Sequence, residues 1–359
     1  MAQNDSQNGF VRFLRECFII DFDKPLSIKN QFTIMFVTLF ISVALFSGVY
    51  GISVLSHPLD IAEAAAASDE SSDSSAKKNQ VSEPEIKPAV LLKKMTSITR
   101  SAEQIHDGYL ILVNKDNSCY HNGENVISLL GDNVKSDSYM VTDDSVRLDE
   151  GIVDNVNAMF DDFYSIYGEN SVIMACGFRS EELQQELFDD EINSKGETEG
   201  EMWVAPPGYS EHQTGYAFDL DLLLEEGTSG IDYDGQGIYS WINENSSQYG
   251  FILRYPEGKD DITGYEYEPW HFRYVGVPEA LYITEHGLTL EEYIKTVQAH
   301  NVNDPILIKD RGDGEKMWCT YFVPADKDGG DTKVPVPVEY DYTVSGDNIS
   351  GFIVTVRLK

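Results

Sequence analysis

Two histidines of this sequence lie near carboxylates in a pattern that could bind a metal ion. Asp219 follows His212 by seven positions, and Glu268 precedes His271 by three. A catalytic zinc ion takes three protein ligands from histidine and carboxylate side chains and keeps a fourth position for water. His212, Asp219 and His271 would supply such a set, and Glu268 could then act as the general base. Taken alone, this spacing also fits histidines that are only packed or hydrogen-bonded.

The residues around these candidates bear on the backbone and on the ligand choice. Pro269 lies between Glu268 and His271, and since proline disfavours a helix interior, an extended or turn segment is expected there. Asp221, two positions after Asp219, is an alternative third ligand. Histidine and carboxylate ligands suit several divalent metals, so the pattern does not exclude a metal other than zinc.

The elements that must position these residues are a mixture of helices and strands. Apolar runs predict strands over 109–113 and 172–176, and apolar residues at helical spacing predict helices over 146–167, 180–192 and 290–297. Further along, 317–323 and 351–358 are typical of β-strands. Because helices and strands do not alternate regularly, the sequence favours an α+β fold over a doubly wound sheet. Residues 99–302 are expected to form the main domain, and 303–359 a small β-rich C-terminal appendage without a catalytic-looking cluster.

An apolar segment, residues 32–55, precedes this domain. Its 24 residues carry no charge, and a helix of that length can cross a hydrocarbon core of about 30 Å. Four basic residues precede it and the next one after it is Lys77, so the positive-inside rule places residues 1–31 in the cytoplasm and the rest outside. A cleavable signal peptide is the alternative, although its apolar region usually has only about 7–15 residues. Residues 56–98 are rich in small and charged residues and are expected to form a flexible tether.

Charge and cysteine content exclude some functions. The formal net charge is −35, and such a surface repels nucleic acid phosphates and anionic lipid headgroups as general partners. The four cysteines are Cys17, Cys119, Cys176 and Cys319. Since three of them follow the apolar segment and none has CxxC spacing, neither a disulfide framework nor a cysteine zinc site is expected. Cys176 lies in an apolar run, which predicts a buried structural thiol.

Three segments resemble, in the same order, the blocks of VanY-type D-alanyl-D-alanine carboxypeptidases. Residues 210–219, SEHQTGYAFD, fit the SxHxxGxAxD signature of that family. Residues 250–256, GFILRYP, followed by EPWH at 268–271, are similar to its second zinc block. Residues 177–184, GFRSEELQ, are similar to its GYRSxxxQ block, with phenylalanine in place of tyrosine. The resemblance extends over roughly 109–285 and implies a Hedgehog/DD-peptidase-like catalytic domain.

The resemblance also implies a role for each matching residue. The residues that would bind zinc are His212, Asp219 and His271. Glu268 would activate the water, and Arg179 would stabilise the developing oxyanion. The alternative for Arg179 is a surface salt bridge in an acidic protein. Ser210 and Gln184 would contact the substrate near its terminal carboxylate.

The activity implied by the resemblance is that of a zinc carboxypeptidase that acts outside the cell. It would release the terminal D-alanine from peptidoglycan stem peptides or their precursors, with the single helix and tether holding the domain near the membrane surface. Relatives that share the blocks include L,D-carboxypeptidases, so removal of the last residue of tetrapeptide stems is an alternative. A catalytically silent, zinc-containing wall-binding domain is another. Glu268 and Arg179 argue against it, because a purely structural zinc site needs neither a base nor an oxyanion partner.

Overall fold

Residues 94–121, 123–196, 200–223, 229–310 and 316–358 are described by the computed structural model of this protein. The strands are Met95–Arg100 (β1), Val126–Ser128 (β2), Met140–Val141 (β3), Arg147–Asp149 (β4), Val172–Cys176 (β5), Ala217–Leu223 (β6), Ser229–Asp232 (β7), Phe251–Leu253 (β8), His271–Tyr274 (β9), Ile306–Lys309 (β10), Met317–Pro324 (β11), Thr332–Pro337 (β12), Tyr342–Gly346 (β13) and Gly351–Arg357 (β14). The helices are Val153–Tyr167 (α1), Glu181–Lys195 (α2), Ser240–Asn245 (α3), Asp260–Thr263 (α4), Val277–His286 (α5) and Leu290–Gln298 (α6). This is a mixed arrangement of helices and strands.

A central sheet carries the residues that the sequence singles out. Its strand order is β3-β5-β6-β9-β8, with β7 paired to the far part of β6. β3 and β5 are parallel, and the other pairs are antiparallel. The predicted strand at 172–176 is confirmed as β5. Pro269 and Trp270 form a turn, one of the two conformations that the proline indicates, and β9 begins at His271.

Helix α1 covers one face of this sheet. Its side chains Val156, Met159, Phe160 and Phe163 are fully buried and pack in one core with sheet residues that include Phe218. The predicted helix over 146–167 is correct only from residue 153 onward. Residues 147–149 instead form β4, which pairs with β2, because the buried Leu148 belongs to a strand with alternating burial rather than to the helical stripe.

The predicted strand over 109–113 is wrong. The segment is buried, but it forms no ladder with a neighbouring strand. Its backbone groups are satisfied from elsewhere: the carbonyls of Tyr109 and Ile111 accept hydrogen bonds from Arg273, and Leu112 N–H donates to the carbonyl of Asp347. A buried apolar run needs partners for its backbone, and here a side chain and a loop supply them.

The C-terminal region is β-rich, as the sequence indicates. β10, β11, β14 and β13 form an antiparallel sheet in that order, and β12 pairs with β1. Residues 95–98, which the sequence places in a flexible tether, instead belong to β1. Helices α5 and α6 share one apolar core with this sheet through Trp318, Phe322 and Ile353. The C-terminal sheet thus packs continuously on the part of the chain that carries the central sheet.

The expected membrane segment, residues 32–55, and the preceding residues 1–31 lie outside the described residues. Within the described part of the chain, no helix combines the length and apolar character needed to cross a bilayer.

Candidate metal centre

Three adjacent strands bring candidate side chains to one face of the central sheet. In the register of the sheet, Asp219 of β6 lies opposite His271 of β9 and opposite Cys176 of β5. Side chains directly opposite each other in antiparallel strands project from the same face. His212 comes from the 3-10 turn Glu211–Thr214 that immediately precedes β6. Gly215 ends this turn with a φ of 75°, a left-handed conformation that glycine adopts without steric cost.

The two histidines face Asp219 through different nitrogens. His212 Nε2 lies 3.3 Å from one carboxylate oxygen of Asp219 and His271 Nδ1 lies 3.2 Å from the other. His212 Nδ1 donates to the carbonyl of Gly177 over 2.7 Å, which leaves the lone pair of the neutral ring on Nε2. Burial favours the neutral form of Asp219, but the two histidines hold its pKa well below the ordinary value.

The residues present fit a zinc ion. His212 Nε2 and Asp219 Oδ1 are fully buried and have no hydrogen-bond partner among the described residues, although buried polar atoms are normally paired. With His271 Nδ1 they offer two imidazole nitrogens and one carboxylate, which is a ligand set of catalytic zinc. Asp221, the alternative ligand, lies further along β6 opposite Ile173 and Asp232. The geometry therefore favours Asp219.

Cys176 lies beside the candidate zinc ligands. The sequence predicts only a structural thiol at this position and does not place it at the metal centre. Its sulfur and the ligand atoms of His212 and Asp219 all lie within 4.8 Å of one another. Arg179 Nε donates to the sulfur over 3.2 Å. Burial raises the pKa of a thiol, but Arg179 and His212 reverse this and lower the pKa of Cys176.

Glu268 lies beside the ligand set. Its Oε2 is 3.2 Å from His271 Nδ1, and its side chain is largely buried. The position follows from the turn that Pro269 occupies, in which the backbone N–H of His271 donates to the carbonyl of Glu268. A carboxylate placed against a ligand atom can reach the fourth coordination position, where a general base is needed.

Arg179 points into the site rather than to the surface. Its Nη2 lies 3.2 Å from Asp219 Oδ2, and its side chain is only 16% exposed. Its Nη1 donates to Gln184 Oε1 over 3.0 Å. Burial disfavours the charged form, but Cys176 and Asp219 raise the pKa of Arg179. The guanidinium therefore remains a cation at the metal centre.

Gln184 lies behind Arg179. The resemblance implies that Gln184 contacts the substrate, and its side chain is fully buried in α2. Its oxygen accepts from Arg179 and its amide nitrogen donates to the carbonyl of Ala205 over 2.8 Å. Both polar ends are occupied within the protein, so Gln184 supports Arg179 from behind. Ser210 is buried immediately before the turn that holds His212.

Glu211 is the residue that the sequence analysis missed. It precedes His212 and is fully buried, and its Oε1 lies 2.8 Å from His271 Nε2. Burial raises the pKa of a carboxyl group, but Arg254 and Arg273 hold the pKa of Glu211 far below its ordinary value. Both arginines are fully buried in strands or strand ends with apolar neighbours. Burying a charged residue is costly unless it is paired. An arginine among the apolar residues of a strand is therefore the sequence signal that a buried carboxylate such as Glu211 lies beside it.

Comparison with known proteins identifies the family. Residues 145–277, which include His212, Asp219, His271, Glu268 and Arg179, match the family described as VanY: D-alanyl-D-alanine carboxypeptidase. A D-alanyl-D-alanine carboxypeptidase of Enterococcus faecium is 31% identical over 260 residues, covering 72% of this chain and 78% of that protein. The chain belongs to the VanY family of zinc peptidases.

Two further proteins are similar to this chain. A D-alanyl-D-alanine carboxypeptidase of Enterococcus faecalis is 46% identical over 133 residues, which are 34% of this chain and 47% of that protein. The chain thus spans about half the length of that relative. The solved structure of the vancomycin resistance D,D-dipeptidase VanXYg, in complex with a D-Ala-D-Ala phosphinate analogue, superposes with a TM-score of 0.64 at 30% identity, covering 73% of this chain and 99% of that one.

Proposed function

We propose that this VanY-family chain removes the C-terminal D-alanine from peptidoglycan stem peptides or their precursors, with zinc held by His212, Asp219 and His271. One observation carries the proposal. On one face of the central sheet the Asp219 carboxylate lies 3.3 Å from His212 Nε2 and 3.2 Å from His271 Nδ1, and Glu268 and Arg179 lie 3.2 Å from members of that set. The likeness to VanXYg, which was solved with a D-Ala-D-Ala phosphinate analogue, supports a D-Ala-D-Ala substrate.

The chemistry divides between the metal and the side chains. Zinc supplies Lewis acidity at such a site, which polarises a carbonyl group and makes water more acidic. Glu268 accepts a proton from the attacking water as the new carbon–oxygen bond forms. It then gives that proton to the nitrogen of the departing D-alanine as the carbon–nitrogen bond breaks, and so returns to its carboxylate form. The products are a shortened stem peptide and free D-alanine.

The remaining side chains position the substrate and stabilise charge. Arg179 donates hydrogen bonds to the oxygen of the scissile carbonyl as negative charge develops on it. Gln184 keeps the guanidinium in place by accepting from Nη1. Ser210, buried two residues before His212, contacts the terminal carboxylate of the substrate.

We also propose the following organisation of the chain. Residues 99–302 form the zinc peptidase domain of the Hedgehog/DD-peptidase-like fold, and residues 303–359 form the small β-rich C-terminal domain, to which β1 adds a strand. Residues 32–55 form a single transmembrane anchor, with 1–31 in the cytoplasm and the peptidase outside. The charge-free length of 32–55 and the basic residues before it support this orientation.

The activity is tested by the release of D-alanine from a synthetic pentapeptide that ends in D-Ala-D-Ala. The full chain is purified in a mild detergent and assayed as isolated, after chelation and after zinc is restored. We expect chelator-sensitive release, restored by zinc, and inhibition by a D-Ala-D-Ala phosphinate. Glu268→Gln should abolish release while zinc remains bound. Glu266→Gln, the same change two positions away, is the matched control and should retain activity.

The same assay separates the alternatives. A tetrapeptide stem is offered in parallel, and release from it alone would identify an L,D-carboxypeptidase. Full zinc occupancy without release from either peptide would favour a wall-binding domain and refute the proposed hydrolysis.

The membrane proposal has its own test. The full chain is inserted into liposomes during cell-free synthesis and then washed with alkaline carbonate. Retention in the pellet is expected for the wild type and loss for a variant with three leucine-to-lysine or isoleucine-to-lysine changes within 32–55. Intact-mass measurement after expression in cells shows whether the segment is retained or removed as a signal peptide.

A further inference from the structure

The two carboxylate oxygens of Glu211 have different hydrogen-bond partners. Oε2 accepts from Arg254 Nε over 2.9 Å and from Arg273 Nη1 over 3.0 Å. Oε1 lies 2.8 Å from His271 Nε2. The side chain is buried, with 2% of its surface exposed. Oε2 thus anchors the side chain to two arginines, and Oε1 faces His271 of the metal centre.

These contacts determine which nitrogen of His271 carries the proton. Arginine can only donate hydrogen bonds, so Oε2 of Glu211 accepts from both guanidiniums. Two cations in contact with the same buried carboxyl group favour its charged form, the carboxylate. A carboxylate oxygen accepts but does not donate, so His271 Nε2 must be the protonated nitrogen. The lone pair of the neutral ring is then on Nδ1, which lies 3.2 Å from Asp219 and from Glu268. His212 has the opposite tautomer, because its Nδ1 donates to a backbone carbonyl.

The two arginines are themselves anchored away from the metal centre. Arg254 donates from both terminal nitrogens to Glu291 of α6, over 3.0 and 2.6 Å. Arg273 donates from Nη2 to the carbonyls of Tyr109 and Ile111 over 3.0 and 2.9 Å. Two guanidiniums and two carboxylates make the network neutral. A buried network of this kind contributes little net stability, because desolvation offsets the attraction, but it does impose a defined geometry.

We propose that Glu211 is a positioning residue of the metal centre: it fixes His271 as the Nε2–H tautomer and aims Nδ1 at the zinc, while Arg254 and Arg273 hold Glu211 in place. A carboxylate that accepts from the distal nitrogen of a histidine ligand also increases the basicity of the ligating nitrogen. The inference rests on the zinc centre proposed above. Glu211 acts through His271 and does not touch the substrate.

The wild-type protein provides the first test. The full chain, labelled with ¹⁵N in its seven histidines and loaded with zinc, is examined by NMR for the nitrogen that bears hydrogen in each ring, with His212→Asn and His271→Asn used for assignment. We expect a slowly exchanging Nε2–H on His271 and an Nδ1–H on His212. An Nδ1–H on His271 would overturn the inference. This measurement needs no change at Glu211 and so does not depend on whether a variant folds.

The second test compares two variants that each remove one carboxylate from the same network. Glu211→Gln keeps an acceptor oxygen but loses the charge beside His271, and should weaken zinc binding by roughly 10–100-fold. It should also shift the visible spectrum of the cobalt-substituted protein. Glu291→Gln removes a carboxylate that contacts Arg254 but not His271. Because Arg273 still holds Glu211, it should weaken zinc binding and shift the cobalt spectrum less than Glu211→Gln does, whatever its effect on the melting temperature.

The outcomes separate this inference from the proposed function. Equal loss of zinc affinity in both variants, or none in either, would refute the positioning role even when the wild type binds one zinc and releases D-alanine. The proposed metal centre itself would be refuted if the wild type bound no zinc, or if His212→Asn bound as much zinc as the wild type.

Discussion

A buried glutamate of α5, Glu279, should make the stability of the fold depend on pH. Glu279 of α5 is completely buried, and Thr355 of β14 donates a hydrogen bond to its Oε1. Its Oε2 has no hydrogen-bond partner among the described residues. Burial raises the pKa of Glu279 from 4.5 to about 7, partly offset by the hydrogen bond from Thr355. Tyr109, Tyr274 and Tyr293 are the titratable groups that interact with it.

The direction of the pH effect follows from the raised pKa. The folded protein holds the proton more tightly than the unfolded chain, so the contribution to stability is complete below pH 4.5 and is lost as pH rises through about 7. Each tenfold change in proton affinity corresponds to about 1.4 kcal/mol, so the loss amounts to about 3 kcal/mol by pH 8. Glu279→Gln keeps an acceptor for Thr355 and stays neutral at every pH. It should therefore escape this loss.

The assay is urea unfolding of the full chain, followed by tryptophan fluorescence at pH values from 4.5 to 8.5 with equal zinc. The quantity of interest is the free energy of unfolding of Glu279→Gln minus that of the wild type. Taking this difference at each pH cancels the effects of the metal centre and of other titrating groups. The difference should increase by about 3 kcal/mol between pH 4.5 and 8. Glu244→Gln, an exposed helical control, should give a difference that does not vary with pH, and a flat curve for Glu279→Gln would refute the reasoning.

Three further changes test the site and its supports. Arg179→Lys keeps the positive charge but loses the planar guanidinium that reaches both Asp219 and Gln184. Turnover should therefore fall roughly 10²–10³-fold, while the zinc content measured by mass spectrometry stays the same. A loss of zinc would refute the oxyanion role. Gly215→Ala forces a side chain onto a φ of 75° with its Cβ 2.7 Å from Val126 Cγ1, and should cost about 2 kcal/mol in urea unfolding; unchanged stability would refute the argument from strain. A chain ending at residue 302 loses the strands that cover α5 and α6, and should show no near-ultraviolet circular dichroism; a native-like spectrum would show that the C-terminal sheet is dispensable for folding.

Local patterns predict those elements whose stability is itself local. Helix α6 shows its apolar stripe in the sequence, and the Thr289 hydroxyl caps its start by accepting a hydrogen bond from Glu292 N–H. Helix α2 likewise begins after Ser180, whose hydroxyl accepts from Leu183 N–H. Both were predicted close to their observed bounds. Short-range capping and periodicity determine such helices, so a sequence alone reveals them.

Elements that depend on distant partners are where prediction from the sequence fails. The run at 109–113 is as apolar as a strand, but its hydrogen-bond partners come from Arg273 and from residues near position 347. Strand β1 pairs with β12, more than two hundred residues away. Its local composition therefore predicts only the end of a flexible tether. No local pattern carries the information about these pairings.

In the metal centre, too, local patterns reveal some residues, and tertiary contacts determine the roles of others. The ligand residues and Glu268 lie in segments with a recognisable residue order, and the sequence singles them out. Glu211 lies within the same segment but has no role until the fold brings His271 and two arginines to its carboxylate. The resemblance implies that Gln184 contacts the substrate, and the hydrogen bonds that place it behind Arg179 depend on tertiary packing.

These contacts also change the interpretation of the C-terminal region, which shows no catalytic-looking cluster in the sequence. Glu211 holds His271, and Arg273 holds Glu211 while donating to carbonyls of the segment 109–113. The side-chain amide of Asn348, from the turn between β13 and β14, donates to a carbonyl of that same segment over 2.8 Å. The C-terminal sheet therefore packs against segment 109–113, whose carbonyls accept hydrogen bonds from Arg273. A region can thus matter to a site through the backbone it supports, and residue types alone do not reveal that contribution.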